Sequence, residues 1–183
     1  MFHEHKPLRR GIVALVMAVI AGCAPSDRRG TSDLAPTGDA AARIADGKPP
    51  AGYRDWRLIS VAREEGDLDD IRAVLGNDAA IRAYRDGTTS FPDGAIIARL
   101  AWSFDASEEN NKSFGRRQSY VAGVPKNGVQ FMVKDSKKYA ATGGWGFAEF
   151  NDGKPADPSA LQSCYDCHAR IKDRDLVFSR YAP

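Results

Sequence analysis

The chain has 183 residues, of which 43% are hydrophobic and 27% are charged. This suits one folded domain and excludes a purely disordered chain. The formal net charge of +2 comes from residues 1–22, where Lys6, Arg9 and Arg10 outnumber Glu4, so the rest of the chain is neutral. It has no basic patch of the kind that binds nucleic acid, and we expect no such partner.

Residues 1–22 are typical of a secretory signal peptide. The three basic residues precede an apolar stretch at 11–22. A stretch of about a dozen apolar residues is too short to span a bilayer stably and has the length of a signal-peptide core.

The apolar stretch ends in Ile20-Ala21-Gly22-Cys23, which resembles the bacterial lipobox. The resemblance implies that Cys23 becomes the first residue of the mature protein and carries acyl chains that anchor it in a membrane. Ala24 follows, and not an aspartate. By the same resemblance this favours the periplasmic side of the outer membrane in a Gram-negative bacterium. The alternative is an ordinary cleaved signal peptide with an incidental cysteine.

Residues 23–50 are rich in Ala, Gly, Pro, Asp and Ser and contain almost no large apolar side chains. Such a segment buries little surface, so we expect a flexible tether between the lipidated cysteine and the domain. The folded domain is then predicted to span residues 51–183.

Alternation of apolar and polar residues dominates this domain and predicts strands. The predicted strands are 56–62, 70–75, 95–104, 129–134 and 145–150. Asn77 is predicted to cap a short helix that continues through Tyr84, and 91–94 is a predicted turn. A long polar loop or hairpin is expected at 105–127, and a final helix at 159–172. The pattern predicts an α+β fold, mainly an antiparallel β-sheet with a few helices.

The final helix contains Cys164-Tyr165-Asp166-Cys167-His168, which is the CxxCH signature of c-type haem attachment. Residues three and four apart share a helix face, so Cys164, Cys167 and His168 are predicted to meet one haem. The two thiols would form thioethers and the imidazole would bind the iron. We therefore predict one covalently bound haem c and identify this helix as the haem-attachment helix.

Three other interpretations of the cysteine pair stay open. A thioredoxin-like redox pair usually follows a strand in a βαβ unit, which the pattern lacks. A zinc site usually has four ligands, and this cluster offers three. A disulfide between residues three apart in a helix has poor geometry.

The second axial position of the iron decides the class of cytochrome. His3, His5, Met1 and Met17 leave with the signal peptide, so Met132 is the one methionine available as a sixth ligand. A single methionine on a strand is more often core packing. We therefore expect a five-coordinate iron, open to NO, CO, hydroxylamine or peroxide, with Met132 ligation in an electron-transfer cytochrome as an alternative.

The domain resembles the cytochrome P-460 family, which includes the β-sheet cytochromes c′-beta. The resemblance lies in YRDW (53–56), FPDGAIIARL (91–100), QFMVKDSKKY (130–139), WGF (145–147), the CxxCH motif and DLVF (175–178). It implies a mostly antiparallel sheet, often a homodimer, with a five-coordinate haem. It also implies one of two activities, oxidation of hydroxylamine to N₂O or NO, or binding of NO and CO without turnover. A redox partner protein is a further expectation.

The chain departs from the resemblance at Arg99. The founding enzyme of the family has a haem-cross-linking lysine that aligns with this position, and a guanidinium is a poor nucleophile. We expect Arg99 to lie over the haem pocket, to pair with a haem propionate, or to face solvent on its strand. Phe131 is a candidate haem contact. Like three further aromatics, Trp102, Phe104 and Phe147, it is either a wall of the haem pocket or a core residue.

Overall fold

The structure, a computed structural model, describes residues 44–88 and 90–182. The predicted signal peptide, the lipidation site Cys23 and most of the predicted tether lie outside these residues and stay predictions. In the described part of the chain, no helix is both long and apolar enough to cross a membrane.

The described strands form one antiparallel sheet of six strands, and each strand pairs with the next one in sequence. Their bounds are β1 Arg57–Glu64, β2 Asp70–Gly76, β3 Ile96–Ala106, β4 Tyr120–Lys134, β5 Trp145–Asn151 and β6 Lys154–Pro155. The described helices longer than one turn are α1 Asp78–Arg85, α2 Glu108–Phe114 and α3 Pro158–His168. The predicted α+β fold, mainly antiparallel sheet with a helix near the C-terminus, is confirmed.

Asn77 caps α1, as predicted, and also ties this helix to the sheet. Its Oδ1 accepts hydrogen bonds from the backbone N–H of Ala80 and of Ile96, both at 3.0 Å. Its Nδ2 donates to the carbonyl of Gly94 at 2.9 Å. One buried amide therefore fixes the start of α1 against the start of β3.

The predicted loop or hairpin at 105–127 is a hairpin that contains a helix. β3 and β4 stay paired out to Ala106 and Tyr120, and α2 occupies the connection. No residue of α2 is buried, so apolar periodicity gave no helix signal. Local chemistry sets its ends, because Ser107 caps the first turn and Gly115 adopts φ 67° at the last.

Apolar clusters cover both faces of the sheet, because successive side chains of a strand point to opposite sides. What we call the α1 face carries α1 together with Val74, Ile97 and Met132. What we call the opposite face carries Ala98, Leu100, Phe131, Val133 and Phe150.

The predicted helix at 159–172 is shorter and continues as tight turns. α3 ends at His168, and a 3₁₀ segment, Ala169–Arg174, follows with non-helical angles at Ile171. This break turns the chain back toward the α1 face, where Leu176 and Val177 are buried. The residues after the CxxCH motif therefore lie beside it.

Candidate functional site

A cavity of about 420 Å³ opens on the α1 face, between the sheet and the C-terminal segment. Cofactor and small-molecule sites occupy roughly 300–1,000 Å³. Its apolar walls come from Val74, Ile97, Met132, Phe147, Val177 and Phe178.

The CxxCH side chains line this cavity together. Asp157 caps the start of α3, and its carboxylate accepts from the N–H of Ser159 at 2.8 Å. One helix face then presents Cys164, Cys167 and His168 to the cavity. Cys164 is half-buried and Cys167 is exposed. The donor set is therefore two sulfurs and one imidazole at the edge of an apolar slot, and it fits a haem held by thioether bonds.

The imidazole of His168 is oriented by the chain that follows it. Its Nδ1 lies 2.6 Å from the carbonyl oxygen of Leu176. Since a carbonyl can only accept, Nδ1 carries the proton and Nε2 keeps its lone pair for a metal. The rings of Phe147 and Phe178 flank the imidazole at centroid distances of 5.2 Å and 5.0 Å.

Burial lowers the pKa of His168 below its ordinary value, while the hydrogen bond to the Leu176 carbonyl acts in the opposite direction. The imidazole is therefore neutral near pH 7, which is the form that binds iron.

Burial, and next the carboxylate of Glu149, raise the pKa of Cys164. A thioredoxin-like nucleophile has a lowered pKa, so the environment argues against that interpretation.

Among the described residues, no group of three or more His, Cys, Asp and Glu side chains is arranged to hold a metal ion.

A chain of polar side chains crosses the sheet beside the cavity. Asp70, which is completely buried, forms ion pairs with Arg99 and with Arg72, the latter at 2.8 Å. Arg99 Nη1 donates to Gln130 Oε1 at 2.9 Å. Gln130 Nε2 in turn donates to Glu149 Oε2 at 2.7 Å. Arg72, Arg99 and Gln130 line the cavity and give it one polar side.

Arg99 therefore faces the cavity, and of the three expectations for this residue the solvent-facing one is wrong. Its side chain is 17% exposed. Burial lowers the pKa of Arg99, and the nearby Arg72 adds to this effect. A guanidinium titrates so far above neutral pH that it stays charged.

The predicted aromatic residues divide between the two faces. Phe147 is at the cavity, as expected for a wall residue. Phe131 borders the cavity, but its ring packs on the opposite face against Tyr53, Trp56 and Phe150. Trp102 lines a different recess on that opposite face.

Phe104 packs edge-to-face against Tyr120 beyond an irregularity in the β3–β4 pairing. The expectation that Trp102 and Phe104 wall the haem pocket is wrong, because these two rings lie away from the cavity.

Sequence reasoning missed the partners that support the site. Asp70 and Gln130 meet Arg99 through strand register, which no local pattern indicates. The Leu176 carbonyl is a backbone group and leaves no signal in the sequence. Phe178 could have been predicted as a site residue, because it belongs to the DLVF stretch that carries the family resemblance.

A model of the family described as Cytochrome P460 matches residues 50–179, more than two thirds of the chain. No curated protein matches the chain with significant similarity.

Proposed function

The chain belongs to the cytochrome P460 family and is thus a haem-binding cytochrome, and we propose that it holds one covalent haem c and binds NO or similar small ligands. Cys164 and Cys167 would form the thioethers, and His168 Nε2 would bind the iron. A haem held there supplies an iron centre that can bind a small ligand or exchange an electron.

One observation carries the proposal. The three CxxCH side chains line one apolar cavity, and the Leu176 carbonyl already occupies the other nitrogen of the imidazole. In the described residues no second histidine is available, and Met132 is the one methionine. Met132 lines the cavity, but it is only 9% exposed and belongs to the apolar core cluster of the α1 face, where it pairs across the sheet with Phe147. We therefore infer core packing for Met132 and a five-coordinate iron.

Mass spectrometry and spectroscopy on the exported protein test the proposal. Protein from a host with haem-attachment machinery should gain the mass of one haem that survives denaturation, and Cys164→Ser with Cys167→Ser should remove it. The ferrous spectrum should be high-spin and shift on adding NO. Colourless protein would overturn covalent attachment, and a low-spin ferrous spectrum without added ligand would overturn the open coordination site.

An oxidoreductase that acts on hydroxylamine or peroxide is a second candidate, favoured by the polar side of the cavity. Arg72, Arg99 and Gln130 could orient a polar substrate there. The position that aligns with the family's cross-linking lysine is Arg99, so this candidate must work without that cross-link. Turnover of hydroxylamine with an electron acceptor would support it, and its absence under conditions where NO binds would reject it.

An electron-transfer cytochrome with Met132 as sixth ligand is the third candidate. Replacement of Met132 by Ala should then convert a low-spin spectrum to high-spin. An unchanged spectrum would reject Met132 ligation.

We further propose that Cys23 is lipidated and that the domain faces the periplasm from the outer membrane. Acyl chains on an N-terminal Cys23, found by mass spectrometry, and release of the protein from outer-membrane fractions by Cys23→Ser, would support this. A homodimer and a redox partner protein are part of the same proposal. Sedimentation of the exported domain would report the dimer.

A further inference from the structure

The carbonyl that orients His168 belongs to a left-handed segment of backbone. Asp175 and Leu176 have φ of 48° and 62°. Residues other than glycine rarely adopt this backbone region. The side chain of leucine is apolar and cannot form a local hydrogen bond that would stabilise it. Such a conformation persists only where the surrounding structure holds it. Here it includes Leu176, whose carbonyl oxygen accepts from His168 at 2.6 Å.

A buried ion pair holds this segment. Asp175 Oδ1 accepts from Lys134 Nζ at 2.7 Å, and its Oδ2 accepts from the backbone N–H of Phe91 at 2.8 Å. The side chains of Lys134 and Asp175 are 7% and 12% exposed. Both carboxylate oxygens are therefore engaged from elements outside the C-terminal segment, and little water competes with them.

Lys134 is itself fixed at the end of β4. Its Nζ also donates to the carbonyl of Gly143 at 3.2 Å and lies 5.0 Å from the centre of the Trp145 ring. These contacts fix the position of the ammonium group, so the ion pair holds the segment after α3 in a defined position relative to the sheet.

Two glycines leave room for this arrangement. Gly143 and Gly144 have φ of 67° and 83°. A Cβ on Gly143 would lie 3.2 Å from the Leu176 side chain, and one on Gly144 would lie 3.4 Å from Lys134 Nζ. The turn between β4 and β5 is thus shaped around both the lysine and the leucine.

We propose that Lys134 and Asp175 are positioning residues for the axial histidine. They keep the Leu176 carbonyl against His168 Nδ1, and a histidine that donates to a well-placed acceptor binds its metal more strongly. The inference rests on the proposed function, since it requires His168 to bind the haem iron. The strength of the bond between His168 and the iron would then depend on an ion pair that contacts neither the CxxCH motif nor the iron.

Resonance Raman spectroscopy of the ferrous protein measures the iron–histidine stretching frequency directly. Asp175→Asn is the main variant, because asparagine tolerates the left-handed backbone while losing the charge. Lys134→Met is the second, and the double variant removes both charges together. We expect a lower frequency than wild type in each. In the double variant, whose net charge is unchanged, we also expect a reduction potential shifted to more positive values because the histidine donates less electron density.

Asp69→Asn is the matched control. Asp69 is also left-handed, with φ 39°, and also forms an ion pair, in its case with Arg63 at 2.6 Å. The Asp69→Asn substitution makes the same chemical change away from His168, and we expect it to leave the iron–histidine stretching frequency at the wild-type value.

Three results would overturn the inference: an unchanged frequency in haem-loaded Asp175→Asn, an unchanged frequency in the double variant, or an equal shift in Asp69→Asn. If Lys134→Met fails to fold, the other two variants decide. Failure of the proposed function is recognised separately, since wild-type protein would then carry no covalent haem and give no iron–histidine band.

Discussion

Arg99 and Asp70 form an ion pair between β3 and β2 in which the carboxylate has no exposed surface. The same carboxylate binds Arg72, so one buried negative charge serves two guanidinium groups on the polar side of the cavity. The cavity therefore has a charged side whose geometry is set before any ligand enters, which suits the recognition of small polar molecules.

Replacement of Asp70 by Ala should lower the free energy of unfolding by about 3 kcal/mol, because removal of one partner leaves buried charges uncompensated. Urea unfolding of the haem-loaded protein measures it. Asp78→Ala is the control, since the Asp78–Arg57 pair is exposed and 3.7 Å long. It should cost less than about 1 kcal/mol. Equal losses in the two variants would contradict the role of burial.

Asn77→Ala should also destabilise the fold, because its side chain caps α1 with one hydrogen bond and makes two more to the backbone at and just before the start of β3. Loss of the cap costs about 1 kcal/mol, and the other buried partners raise the total to about 2–3 kcal/mol. Ser107→Ala is the matched control, because its cap is exposed and 3.4 Å long. If both variants unfold at the same urea concentration, Asn77 does not link helix and sheet.

The strands and the cap at Asn77 were predictable because both depend on neighbouring residues. Alternation located five of the strands, and an amide before Asp78 is a local helix signal. α2 was missed because it buries nothing. The CxxCH site was predictable for the same local reason, since three side chains within five residues need only one helical turn.

The rest of the site depends on tertiary structure. Alternation correctly predicted that Arg99 lies on the face away from Ala98. It did not predict that Arg99 is half-buried, because the C-terminal segment covers that face. Phe131 pairs with Ala98 in the sheet, so its ring points to the face that Arg99 does not share. Register decides this, and register cannot be read from either strand alone.

Tyr84 should make stability fall at alkaline pH. Burial raises its pKa well above the ordinary value near 10, although the charge of Arg174 opposes this, and its hydroxyl donates to the Ser179 carbonyl at 3.1 Å. Below about pH 10 the phenol is protonated in both states. Above it the unfolded chain loses the proton and the folded chain keeps it, so the free energy of unfolding falls as the pH rises.

Tyr84→Phe should flatten this decline, by up to about 1.4 kcal/mol per pH unit between roughly pH 10 and 11. Urea unfolding at pH 8, 10 and 11 compares the slopes. Tyr120→Phe is the control, because Tyr120 is 47% exposed, and its slope should match wild type. A wild-type slope in Tyr84→Phe would show that the phenol titrates alike in both states.

Removal of the haem should loosen α3 while leaving the centre of the sheet intact. None of the described side chains of α3 is fully buried, and the cavity of about 420 Å³ lies between this helix and the sheet. We therefore expect α3 to depend on a bound haem for its packing. By contrast, β3 is well buried on both faces, with Ile96 and Ala98 completely buried on one and Ile97 5% exposed on the other. Regions with few buried contacts open first.

Hydrogen exchange on protein made without haem, compared with the haem-loaded form, measures this difference. Backbone amides of α3 and of residues 169–179 should exchange at least about tenfold faster, a loss of about 1.4 kcal/mol of local protection. Amides in the centre of β3 and β4 serve as the internal control and should keep their protection. If α3 stays equally protected without haem, the cavity is held open by the protein itself and the helix does not need the cofactor to fold.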